Sequence, residues 1–103
     1  MYLNAFLWSN RSIKERLKGC IGIRFSRYSF PFFRNKEFIK VIFFEKEFIF
    51  YINDNFFKYP IICNKNIKNI LIEKNLYLWE KRKNPKLEFK IIDEVTLKLV
   101  RIL

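Results

Sequence analysis

Histidine and glutamine are absent from the 103 residues, and alanine and threonine occur once each, as Ala5 and Thr96. The missing histidine removes the side chain most used for acid–base work near neutral pH, and with it the commonest metal ligand. Only two cysteines occur, Cys20 and Cys63, outside any CxxC pair, so no zinc site can be assembled. They read as two small buried thiols, a single disulfide being the other arrangement open to them. Two glycines, Gly19 and Gly22, cannot build a glycine-rich phosphate cradle, and no GxxxxGKS/T, GxSxG or HExxH string is present. The acidic residues mostly stand beside lysines, as in Glu45-Lys46-Glu47 and Glu73-Lys74. That is a pattern of surface pairing, not of a desolvated carboxylate dyad. The expectation is a non-enzyme with no catalytic residue, no metal, no cofactor and no small-molecule substrate. A long apolar run is missing too. The richest stretch, Phe38 to Ile52, is interrupted by Lys40, Glu45, Lys46 and Glu47. No run of about 18 apolar residues exists, so no transmembrane segment is expected.

What is present is charge and apolar bulk together. The chain is one domain's worth of material, with a formal net charge of +11, 50% hydrophobic and 19% aromatic residues. Such an apolar fraction excludes a disordered tail. Phe, Ile, Asn, Lys and Tyr fill 57 positions. All five have AT-rich codons, which points to an AT-rich genome of an organelle or a reduced endosymbiont. A charge of +11 repels itself unless an anionic partner is bound. Residues 1–40 carry nine basic and two acidic side chains, and residues 41–103 twelve and eight. The apolar start, Met1 to Trp8, is too short for a signal-peptide core, and synthesis inside an organelle would need no import signal.

Along the chain, Ser9–Lys18 reads as a short basic helix capped by Ser9 or Asn10 and closed by Gly19. Cys20–Phe30 reads as a strand. Residues 36–59 leave helix and hairpin open. The hairpin would join Val41–Phe44 to Phe48–Ile52, and the helical wheel gathers Lys36, Glu37, Lys40 and Glu47 on one side. Ile70–Ile72 and Leu76–Trp79 read as a second hairpin, Leu87, Phe89 and Ile91 as an alternating strand, and Asp93–Leu103 as strand or helix.

The order of segments resembles the N-terminal, KH-like half of small-subunit ribosomal protein number three. Gly22-Ile-Arg24, Ser29 with Phe32-Phe33, Ile70-Leu-Ile-Glu73-Lys74 and Asn84-Pro85-Lys-Leu-Glu-Phe89 carry the resemblance. It implies a helix over 36–59, a degenerate GxxG loop at Lys90–Asp93 and a helix opening at Glu94. It also implies a split or truncated form whose C-terminal half is a separate polypeptide. The expected fold is α+β, a degenerate type II KH-like domain over residues 20–103, with residues 1–19 as an N-terminal extension.

The function expected is a structural constituent of a mitochondrial small ribosomal subunit, in the matrix, near the mRNA entry side of the head. Its partners would be small-subunit rRNA and neighbouring ribosomal proteins. Arg11, Lys14, Arg16, Lys18, Arg24, Arg27, Arg34 and Lys36 form one candidate RNA-binding set, and Lys81, Arg82, Lys83 and Lys86 a second. Tyr28 or Phe30 could stack on an unpaired base, core packing being the plainer role. The alternative is a small accessory subunit of a respiratory or ATP-synthase complex, with Tyr2–Trp8 at a membrane interface.

Overall fold

A computed structural model describes residues 1–103. Its seven strands are β1 (Tyr2–Ser9), β2 (Ile21–Phe25), β3 (Phe38–Phe43), β4 (Lys46–Tyr51), β5 (Ile61–Ile62), β6 (Lys86–Ile91) and β7 (Thr96–Ile102). They form one sheet in the order β4-β3-β7-β6-β1-β2-β5. Only β3 with β7 is parallel. Helices α1 (Phe30–Phe33) and α2 (Lys65–Glu73) and 3-10 turns at Ile13–Lys18, Arg27–Ser29 and Asp54–Phe57 complete an α+β fold. No helix is long and apolar enough to cross a membrane.

Strand alternation sends successive side chains to opposite faces, and here one face is the core. Ala5 and Leu7, Ile21, Ile23 and Phe25, Ile39, Val41 and Phe43, Leu87 and Phe89, and Leu97 are all buried. Helix α2 covers this face with Ile67, Ile70 and Leu71, and α1 adds Phe33. Phe33 packs edge-on against Phe25 at 4.9 Å and lies 4.8 Å from Phe56, while Phe25 reaches Phe89 at 5.5 Å.

Several expected elements take another form. Residues 36–59 contain no long helix but the hairpin β3–β4, with Phe43 opposite Lys46. Its two-residue turn is Phe44-Glu45, both left-handed, at φ 49° and 70°. That is the twist tight hairpins need, obtained here without the usual Asn-Gly. Tertiary contact holds it: the Phe44 ring packs against the core and has the Lys74 ammonium 4.6 Å above it, beside its chain neighbour Phe43.

The expected hairpin over 70–79 is instead α2 and the loop after it. Asn64 caps the helix by accepting from the Ile67 amide at 2.8 Å. Asn75, at φ 57°, closes it, with Leu76 N–H donating to Leu71 O and Asn75 N–H to Ile72 O. Glu73-Lys74-Asn75 is therefore a helix end with a left-handed residue, not a β-turn.

The helix implied from Glu94 is strand β7, entered through a turn at Asp93. The Val95 amide donates to Asp93 Oδ1 at 2.9 Å and the Ile92 amide to Thr96 O at 2.9 Å. The Val95 amide, with Thr96 second, holds the Asp93 carboxyl below the usual carboxylate range. The GxxG position, Lys90–Asp93, is the end of β6 and this turn.

Residues 1–19 do not form a separate extension. Strand β1 pairs with both β6 and β2 in the interior of the sheet. The basic helix shortens to 3-10 Ile13–Lys18, because Asn10 Oδ1 is used by the Cys20 amide at 2.9 Å and Ser9 lies in β1. Gly19 is extended, and Lys68 Nζ of α2 satisfies the carbonyls of Leu17 at 2.6 Å and Gly19 at 2.8 Å. Both cysteines are free, but only Cys63 is half-buried, and Cys20 is exposed.

Candidate nucleic-acid interface

The second face of the sheet has no helix on it. The register fixes which side chains share it. Phe6 of β1 stands between Arg24 of β2 and Lys86 of β6. Asn4 stands beside Glu88, which faces Arg101 of β7. Tyr2 stands beside Lys90, and Lys90 faces Lys98. Farther out, Lys40 of β3 and Ile49 of β4 pair, as do Phe38 and Tyr51. Tyr2 is 56% and Tyr51 79% exposed, and Phe6 is exposed as well. The cations on the face are thus Arg24, Lys40, Lys86, Lys90, Lys98 and Arg101, against Glu47 and Glu88.

Two ion pairs use both acids: Lys40–Glu47 at 3.8 Å and Arg101–Glu88 at 3.7 Å. Arg24, Lys86, Lys90 and Lys98 keep no acidic partner within 4.0 Å. Lys90 and Lys98 are directly opposed across an antiparallel pair, where like charges destabilise the sheet. Exposed aromatic rings among unpaired cations, on a sheet face without a covering α-helix, are what a single strand of nucleic acid uses. The rings take bases by stacking, and the cations take phosphates.

The cations picked out by the sequence scatter over the molecule. Arg24 and Lys86 lie on the open face flanking Phe6. Arg11, Lys81 and Arg82 gather at the β1 end of the sheet, around a cleft shared with Trp8 and Trp79. Lys14 and Arg27 are exposed on 3-10 turns away from the sheet strands. Lys18 is paired with Glu15 at 3.3 Å and Lys83 with Glu80 at 3.2 Å. Arg34 and Lys36 line a hollow with Glu37 and Glu94 at the start of β3. Lys36 lies 3.5 Å above the Phe32 ring, and burial lowers its pKa, opposed by Glu94 and then Asp93.

Arg16 is not a surface cation. It is 4% exposed, with Nη1 donating to Tyr77 O at 2.8 Å and Trp79 O at 2.5 Å, and its guanidinium 3.9 Å over the Trp79 ring. Burial lowers its pKa. The 3-10 coil, tighter than an α-helix, turns Arg16 inward while Lys14 and Lys18 stay outside. Of the proposed stacking residues, Tyr28 is 96% exposed, while Phe30 packs edge-on against Phe57 at 5.3 Å.

Sequence reasoning missed Tyr2, Phe6, Lys90 and Lys98. The alternation that marks Lys90 was there, Leu87 and Phe89 against Lys86, Glu88 and Lys90, whereas in β1 only Asn4 stands out between Leu3, Ala5 and Leu7. In comparisons with family models, curated proteins and solved structures, the chain matches none.

Proposed function

We propose that the protein is an RNA-binding structural constituent of a mitochondrial small ribosomal subunit, holding single-stranded or loop rRNA against the open face of its sheet. The observation that carries this reading is Lys90 opposite Lys98 beside the exposed ring of Tyr2, with Arg24 and Lys86 flanking Phe6. Opposed lysines weaken the free fold, and an anionic ligand turns that repulsion into binding. Phosphate contacts of this kind position RNA without reading its sequence.

The net charge of +11 and the AT-rich residue usage support the organellar setting. The respiratory alternative drew on an apolar N-terminus lying at a membrane. Here that stretch is β1, with Ala5 and Leu7 fully buried in the core. The proposal rests on the sheet face and not on the KH-like resemblance, whose implied helices over 36–59 and from Glu94 are strands here.

Co-sedimentation of the tagged chain from organelle lysate tests it. Migration with the small ribosomal subunit, lost after RNase and weakened by Lys90→Ser with Lys98→Ser, is expected. Migration with a detergent-solubilised membrane complex, indifferent to RNase, overturns it.

A further inference from the structure

The cleft at the β1 end of the sheet holds a cation the open face does not explain. Arg16 is 4% exposed, yet no carboxylate lies within 4.0 Å of it. Its Nη1 is satisfied by two backbone carbonyls, but its buried Nε has no acceptor. A buried charge without a counter-charge is among the more expensive features a small domain can carry. Around it lies a cleft of about 600 Å3 whose walls include Arg11, Lys81 and Arg82 and no acidic residue.

The far wall is built rather than loose. Asn84 Nδ2 donates to Leu7 O at 2.7 Å, and the Leu7 amide donates to Pro85 O at 3.0 Å, fixing the 80–85 loop to β1. Within that loop Arg82 sits in the left-handed region at φ 65°, a strained conformation for a bulky residue. Trp8 and Arg82 also line the adjoining hollow that contains Phe6 and Arg24. The cleft therefore opens directly onto the aromatic, basic face.

We propose that this cleft is a phosphate subsite for RNA, in which one backbone phosphate sits among Arg16, Lys81 and Arg82 and the attached nucleoside lies toward Trp8. This deepens the RNA-binding reading and rests on it. Arg16 is positioned by the carbonyls of Tyr77 and Trp79, so the site is preformed. The phosphate supplies the negative charge that the protein leaves out, and Lys81 and Arg82 close over it as exposed donors.

The chain's two tryptophans, Trp8 and Trp79, both line the cleft, so tryptophan emission, excited selectively over the tyrosines, reports the cleft and the hollow that adjoins it at Trp8. The full chain is titrated with uridine 5′-monophosphate and with uridine at constant ionic strength. A saturable change with the monophosphate and none with uridine is expected. The double variant Lys81→Ser, Arg82→Asn spares the buried arginine, and asparagine keeps the left-handed backbone. It should weaken the monophosphate at least about tenfold, the scale of a lost charge-assisted contact. Lys58→Ser, an exposed cation outside both the open face and the cleft, should leave monophosphate affinity unchanged. No saturable change, or wild-type affinity in the Lys81/Arg82 variant, overturns the subsite. A uridine oligomer separates the two readings. Equal oligomer affinity in wild type and the Lys81/Arg82 variant overturns the subsite and leaves the sheet-face reading standing. No oligomer binding by wild type overturns both.

Discussion

Reversing one charge on the open face should make the free protein more stable and a worse RNA binder. Lys98 faces Lys90 in the β6–β7 ladder, and both are exposed. Directly opposed side chains on antiparallel strands have Cβ atoms about 4.5–5.5 Å apart, and a charge pair there contributes roughly 0.2–1 kcal/mol of either sign. Lys98→Glu exchanges a repulsion for an attraction, so the expected gain is about 1 kcal/mol at low salt. For a domain of this size that raises Tm by about 5 °C. The gain should fade toward 1 M salt, where the Debye length is about 3 Å. RNA binding should move the other way. Arg24, Lys86, Lys90 and Lys98 are the unpaired cations of the face. If each neutralises one phosphate of a single strand, affinity falls about 600-fold per tenfold rise in salt, and about 130-fold once one contact is removed. Thermal melts at 20 mM and 1 M salt, with fluorescence anisotropy on a uridine oligomer across salt, measure both. A lower Tm would refute the register argument, and an unchanged salt slope would refute the face as the interface.

Phe33→Ala removes the ring that packs on Phe25 and Phe56 and should cost about 3–5 kcal/mol. In a domain of ordinary stability, roughly 5–15 kcal/mol, that shows as a large drop in the urea midpoint. Glu45→Gly relieves an exposed left-handed residue at φ 70° in the β3–β4 turn. After the added freedom of glycine in the unfolded chain it should stabilise by about 0.5–1 kcal/mol, seen in a thermal melt. Burial first, and then the neighbouring Cys20 thiol, push the Cys63 thiol up to about 12. The neutral thiol is thus favoured in the fold, and its contribution is complete below the ordinary thiol pKa and lost as pH rises through 12. Mass spectrometry after brief iodoacetamide treatment should find Cys63 unmodified at pH 9 in the folded protein and modified in urea.

How much of this was legible in the sequence depends on the reach of the pattern. Leu87, Phe89 and Ile91 alternate with charged residues, and β6 is there. Cys20–Phe30 was legible as extended, and β2 occupies its first half. Strand β1 was hidden because Phe6 and Trp8, on its open face, are as apolar as the core residues Ala5 and Leu7. A strand whose outer face carries exposed rings loses the contrast that periodicity needs. Helix α2 was hidden for another reason. Ile67, Ile70 and Leu71 have helical spacing, but in an isoleucine-rich chain Ile70-Leu-Ile72 also reads as a strand, and only the Asn64 and Asn75 ends decide it. The site was legible as charge but not as place. Lys90 and Lys98 meet only because 96–102 is a strand, and Arg16 buries only because its coil is 3-10 and not α.

Under the proposed function, binding and folding are coupled through the same cations. The opposed lysines and Arg16, buried without a counter-charge, each raise the free energy of the folded chain by itself, and both effects are electrostatic. An anion that binds only the fold stabilises it by RT ln(1 + [L]/Kd), about 2.7 kcal/mol at a hundredfold excess over Kd. That is a substantial share of what a domain of this size can muster, since it buries only about two-thirds of its unfolded surface. The features that weaken the isolated chain are therefore those that would hold it on RNA. A single sheet can serve both ends because its two faces are chemically separate. The core face of Ile23, Phe25, Val41 and Phe89 supplies the apolar burial, and the other face is free to carry charge that the fold alone would not select.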